Sequence, residues 1–201
     1  MTRRFRIILI IAVVMLVSVM STAIGLTAAI WDSASGGSSE YGPVVDAVDW
    51  NTSKKYFTYE NVLDNNDNVI GRAVVGYTGT NLGDVIFPVA GTGEVAITTI
   101  KNTVFDGATV KELPVTIYIS PTISKIEAGA FSNLPNLQKV VFAANGVAVT
   151  VDAYAFAGCS ELTEVVIGDG TTVTFDANAF RGCYSLESVT GKSAAQVSDM
   201  K

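Results

Sequence analysis

A chain of 201 residues with a formal net charge of −6 and no histidine has room for one modest domain and a targeting segment. It lacks the commonest general base and metal ligand. Arg3, Arg4 and Arg6 all sit at the extreme start, which leaves 10 Lys+Arg against 19 Asp+Glu, a net of −9, in the remainder. A domain that acidic repels phosphate backbones, so no nucleic-acid partner is expected. With only two cysteines and no G-x-S-x-G elbow, neither an enzyme nor a metal or cofactor site is expected.

The three arginines precede residues 7–31, which carry no charge. As a helix these 25 residues would reach about 37 Å at about 1.5 Å per residue, enough to cross a hydrocarbon core about 30 Å thick. Basic residues on the N-terminal side keep that end in the cytoplasm and send the rest out. Two readings stay open. The segment is a retained N-in, C-out anchor, or it is a signal peptide with its apolar region at 7–17 and small residues near Ala23 and Gly25 for cleavage. Both export everything after residue 31, so the expected location is the cell surface or the exterior. A membrane partner is expected through residues 7–31 if they are retained. Residues 32–42, DSASGGSSEYG, have nothing to bury and read as a flexible linker. Asn51-Thr52-Ser53 is a glycosylation sequon on the exported side.

The domain is expected over 43–201, with an opening coil at about 56–105 and regular coils at about 106–190. Asp64-Asn65-Asn66-Asp67-Asn68 has the acids and amides of a cation loop, but Val69 and Val75 stand where such a loop needs Gly and Glu. Between apolar flanks it reads as a hairpin turn.

Further on, three segments repeat: KIEAGAFSNLPNLQKVVF at 125–142, TVDAYAFAGCSELTEVVI at 150–167 and TFDANAFRGCYSLESVT at 174–190. Each carries Ala-Phe, then Leu six residues and Val nine residues after the Phe. Phe131, Phe156 and Phe180 are 25 and 24 residues apart, and Phe105 precedes Phe131 by 26. A coil of that length cannot bury its own apolar side, but stacked coils bury a continuous core in which equivalent residues form ladders. Ladders are expected at Phe105, Phe131, Phe156 and Phe180, at Leu137, Leu162 and Leu186, and at Val140, Val165 and Val189. The fold class is a repeat solenoid of the leucine-rich-repeat type: mostly short parallel β-strands on two sides, with one-turn helices or 3₁₀ turns at the Ala-Phe corner, preceded by one N-terminal apolar helix. Around residues 111–114 an insertion blurs the register. The chain runs only about a dozen residues past Val189, so the last coil is expected to keep an open apolar edge.

The stretch AFAGCSELTEVVI at 155–167 resembles the BspA-like leucine-rich repeats of microbial surface proteins, whose pattern runs I-x-x-x-AF-x-x-C-x-x-L-x-x-V-x-I-P. Residues 74–105 are similar to that family's opening coil, with Val104 in place of the Ala and Gly107-Ala108 where the Cys falls. The resemblance covers about residues 56–190. It implies adhesion or host-surface binding, and a buried thiol as a small apolar filler at Cys159 and Cys183. A disulfide between them is the competing reading, because adjacent coils bring equivalent positions together.

Alternation along the Leu-x-x-Val strands places Lys139, Val141, Glu164, Val166, Ser188 and Thr190 outward. These are the candidate binding residues, and the expected partner is a protein or glycan on another surface. The competing function is a structural or display component of the cell envelope without a specific ligand.

Overall fold

The computed structural model describes residues 53–80, 83–106, 111–112, 114–144 and 146–201. The chain divides into units Met1–Ala47 and Val48–Lys201, and every described residue belongs to the second. The N-terminal apolar helix with its anchor or signal role, the linker and the sequon at Asn51 lie outside the described residues. Among the described residues no helix is long and apolar enough to cross a membrane.

Among the described residues eleven strands follow in chain order. They are β1 (Phe57–Leu63), β2 (Val69–Tyr77), β3 (Gly83–Ile86), β4 (Ile97–Ile100), β5 (Pro114–Ile119), β6 (Lys125–Ile126), β7 (Lys139–Phe142), β8 (Val149–Val151), β9 (Glu164–Ile167), β10 (Val173–Phe175) and β11 (Ser188–Val189). One helix, α1 (Ala194–Asp199), closes the chain. The strands form a six-stranded sheet in the order β1-β2-β4-β6-β8-β10 and a five-stranded sheet in the order β11-β9-β7-β5-β3. From β3 onward each coil gives one strand to each sheet, and the pairing between coils is parallel.

The expected ladders exist because the repeat period equals one coil. Ile117, Val140, Val165 and Val189 stand in one register and are buried. Leu137, Leu162 and Leu186 are fully buried beside them. The Phe131 and Phe156 rings lie 5.1 Å apart and those of Phe105 and Phe131 6.0 Å apart. Each such side chain removed from water stabilises the stack by about 1.5–3 kcal/mol.

Two expectations change. The opening region is no ordinary coil: β1 and β2 form an antiparallel hairpin, and β2 then pairs in parallel with β4. Its aromatic residues cover the first coil, with Phe57 5.0 Å from Phe87 and Tyr77 5.6 Å from Phe105.

At the opposite end the apolar edge is not left open. Ser193 caps α1 in a reciprocal capping box with Gln196, Val197 is buried in the core, and Met200 packs against it. The cap escapes an amphipathic-stripe search because a helix of six residues needs only one or two apolar positions to cover one coil.

At the described Ala-Phe corners the turns, and not the one-turn helices, of the two expected forms are present. They are chains of hydrogen-bonded turns, such as Ala155 N–H to Asp152 and Ala157 N–H to Tyr154. Residues two before and two after each Phe adopt positive φ: Gly129 and Asn133, Tyr154 and Gly158, Asn178 and Gly182. A left-handed residue on each side of the Phe prevents helical propagation. At Gly158 the need is also steric, since a Cβ there would collide with the Asn133 side chain of the preceding coil.

Candidate binding face

The five-stranded sheet presents two in-register columns on its outer side. One runs Asp84, Thr116, Lys139, Glu164 and Ser188. The other runs Ile86, Tyr118, Val141 and Val166. Four of the six residues expected to face outward thus share this surface with Val141, while Thr190 lies just beyond the end of β11. Lys139 Nζ sits 2.7 Å from Glu164 Oε2. The two belong to neighbouring parallel strands, so they stand one strand spacing apart, about 4.8 Å, within reach of pairing.

Val141 departs from the expectation. It faces the outer column yet is only 3% exposed, because it occupies the middle of that column with Tyr118 in register on one side and Val166 on the other. Alternation assigns a side chain to a face but does not say how deeply its neighbours cover it. Thr190 is also committed internally: its hydroxyl accepts from the Ile167 N–H at 3.0 Å and reaches the Val165 carbonyl at 3.4 Å. The side chains best placed to meet a partner are therefore Lys139, Glu164, Val166 and Ser188.

Sequence reasoning missed the first half of this face. Asp84, Ile86, Thr116 and Tyr118 extend the columns through β3 and β5. The signal was present in PVTIYI at 114–119, whose alternation is visible, but the irregular spacing before it hid the register. Burial, followed by the nearby Asp84 carboxylate, pushes the Tyr118 phenol above its ordinary pKa, while Lys139 pulls the other way. The face is thus electrostatically mixed, with one cation between two acids along the column.

Elsewhere the structure resolves two motifs. The hairpin turn at 64–68 is as expected: the Asp64 carboxylate accepts from the Asn66 and Asn68 backbone N–H groups and from the Asn68 amide. The Asn68 side-chain bond foremost, then the backbone bonds, hold Asp64 below the usual carboxylate range. Cys159 and Cys183 are buried free thiols, not a disulfide. Their Sγ atoms each donate to a backbone carbonyl of the preceding coil, Phe131 and Phe156 respectively, at 3.0 Å. The contact with the Cys183 thiol, together with burial, holds the Cys159 thiol far above its ordinary range. Among the described residues no group of three His, Cys, Asp or Glu side chains is placed to hold a metal ion.

A family model described as the BspA type leucine rich repeat region matches residues 77–199 with six copies. No match is found among curated proteins. Three solved structures are similar. A leucine rich cell surface protein from Faecalibacterium prausnitzii A2-165 shares 22% identity over 64% of this chain and 40% of its own, with a TM-score of 0.43. A T. pallidum leucine rich repeat protein shares 18% identity over 67% of this chain and 68% of its own, with a TM-score of 0.42. A leucine-rich repeat protein from Bacteroides ovatus ATCC 8483 shares 16% identity over 73% of this chain and 46% of its own, with a TM-score of 0.34. The chain spans less than half the length of the Faecalibacterium protein.

Proposed function

This chain belongs to the family of BspA type leucine-rich repeats, and from that premise we propose that it is a non-catalytic cell-surface module that binds a protein partner through the outer side of its five-stranded sheet. The reading rests on one observation above all. Parallel stacking sets Lys139, Glu164, Val166 and Ser188 into a continuous surface with Tyr118 and Asp84, rigidly held because every strand beneath them is pinned by a buried ladder. A flat sheet with an aromatic ring, apolar methyl groups and fixed opposite charges suits protein docking, where anchors are aromatic or apolar and charge sets register. The basic-then-apolar start, Arg3 to Trp31, supports export to the surface. Adhesion to another cell or matrix is the use such a face would serve.

The test is adhesion of cells displaying the full chain to protein-coated surfaces. Replacing Lys139 and Glu164 by Ala and Val166 by Ser removes the centre of the face while leaving the ladders intact. Adhesion is expected to fall at least tenfold with the melting temperature unchanged. Equal adhesion by the parent and this variant would favour a display role in the envelope without a ligand on this sheet.

A further inference from the structure

On the outer side of the five-stranded sheet the charges are not equally free. Lys139 Nζ lies 2.7 Å from Glu164 Oε2, so each largely neutralises the other. Asp84 stands at the β3 end of the same column and is exposed. None of the ion pairs among the described residues takes in Asp84. Residues 81–82, 107–110 and 113, which adjoin β3 and β5 in sequence and lie outside the described residues, include no charged side chain. One carboxylate on this face is therefore left without a counter-charge among the described residues.

An aromatic ring stands beside that carboxylate. Tyr118 is half-buried and in register with Ile86, and it lies two residues along β5 from Thr116, the register partner of Asp84. After burial, the groups that act on its phenol are Asp84, which raises its pKa, and Lys139, which lowers it. The polar tip of the ring is thus within electrostatic reach of the free carboxylate. Ile86, also half-buried, continues the apolar shelf to β3, the last strand of the sheet. A carboxylate attracts a cation, and so does the face of an aromatic ring. The charge of the exported part agrees, since 10 Lys+Arg against 19 Asp+Glu draws in basic surfaces.

Resting on the reading of this face as a protein-docking surface, we infer that Asp84, with Tyr118 and Ile86, receives an arginine side chain, so that the partner is a basic protein segment. A guanidinium is planar. It presents paired N–H donors to a carboxylate and stacks on an aromatic ring at the same time. An ammonium is a compact, strongly hydrated point charge and does only the first of these well. The methylene stem of the arginine covers Ile86, as long cationic side chains do on apolar surface. An acidic segment has no equivalent place, because Glu164 already occupies Lys139 at 2.7 Å. Asp84 therefore decides which partner is accepted and in what register, while Val166 contributes apolar area farther along the face.

The test is an NMR titration of the full chain, in neutral detergent and with isotope-labelled tyrosine, against blocked Gly-X-Gly tripeptides in which X is arginine, lysine, citrulline or glutamate. The Tyr118 ring signal, identified by its loss in Tyr118→Phe, is expected to move with the arginine peptide. It should respond about threefold more weakly to lysine and not at all to citrulline or glutamate. Asp84→Asn is expected to weaken arginine binding about fivefold, the worth of one exposed charge pair, and high salt should act in the same direction. Asp176→Asn removes the same charge from an exposed position just after β10, on the other sheet, and should bind as the parent does. Equal responses to arginine and citrulline or to arginine and lysine, a stronger response to glutamate, equal losses in Asp84→Asn and Asp176→Asn, or no response at all would overturn the inference. Melting curves exclude loss through unfolding, which is not expected from Asp84→Asn at an exposed position. The two readings fail separately. No arginine response, with adhesion still lost in the Lys139, Glu164 and Val166 variant, removes this inference and leaves the docking role. An arginine response with adhesion untouched by that variant keeps the site and removes the adhesive use of the centre of the face.

Discussion

Phe156 and Phe180 lie with ring centroids 5.2 Å apart and planes within 6° of parallel. Phe156 is held on its other side by Phe131 at 5.1 Å, and Phe180 by Phe175 at 5.0 Å. Both rings are fully buried. Phe156→Ala is therefore expected to cost about 3–5 kcal/mol, the range for a large aromatic side chain removed from a packed core. Phe180→Ala should fall in the same range, because the last coil is closed rather than frayed. Urea denaturation of the purified variants measures both. A near-neutral Phe180→Ala would mean that the terminal coil is not packed in solution.

The closing helix gives the second prediction. Ser193 supplies the cap of α1, with its hydroxyl accepting from Gln196 N at 3.4 Å and Gln196 Oε1 accepting from Ser193 N at 2.9 Å. Ser193→Ala should lower stability by about 0.5–2 kcal/mol. Val197→Asp should cost more, because it places an unpaired charge against the core. Thermal melts followed by circular dichroism test the order of the two. Equal, negligible effects would leave the apolar edge without its cover.

The thiols should be silent until the fold opens. Cys159 and Cys183 are 0% exposed, and reactivity needs access as well as thiolate character. A thiol reagent should label neither at neutral pH and both in denaturant. The pKa of Cys159 is raised in the folded state, while an unfolded thiol titrates near about 8.5. Below that value both states keep the proton and the stability is fully present. Above it only the unfolded chain releases the proton, so stability falls as pH rises from about 8.5 upward. A denaturation series from pH 7 to pH 10, compared with Cys159→Ala, isolates the effect. A slope identical in the two proteins would remove Cys159 as its source.

The Lys139–Glu164 pair should matter little to folding. Both side chains are more than a third exposed or close to it, and solvent screens such a pair to at most about 1 kcal/mol. Exchanging the two charges (Lys139→Glu with Glu164→Lys) should leave the melting temperature near that of the parent. Lys139→Glu alone sets three acids along one column, with Asp84 and Glu164, and should lower stability slightly, an effect that fades in high salt. A double-mutant cycle at two salt concentrations gives the coupling.

Much of this molecule can be read from its sequence, because a repeat is a statement about neighbours. If Phe131, Phe156 and Phe180 recur at one coil length with Leu and Val in step, stacking is the one arrangement that buries all three sets together. The ladders, the two strands per coil and the Lys139–Glu164 contact follow from that period and from side-chain alternation, the Asp64 turn from its acids and amides between apolar flanks, and the buried thiols from the family resemblance. What the tertiary structure alone decided lies where periodicity ends or where cover is at issue. The six-residue α1 closes the stack at one end, and at the other the β1–β2 hairpin, whose turn was legible, joins the sheet through β2 and covers the first coil; end pieces have no repeat to announce such cover. Val141 has the alternation of an exposed residue, yet it is buried, since depth depends on the size of Tyr118 and Val166 beside it and not on which way its own Cβ points. The exposed Tyr154 in a left-handed turn is likewise a conformational fact that no spacing in the sequence reveals.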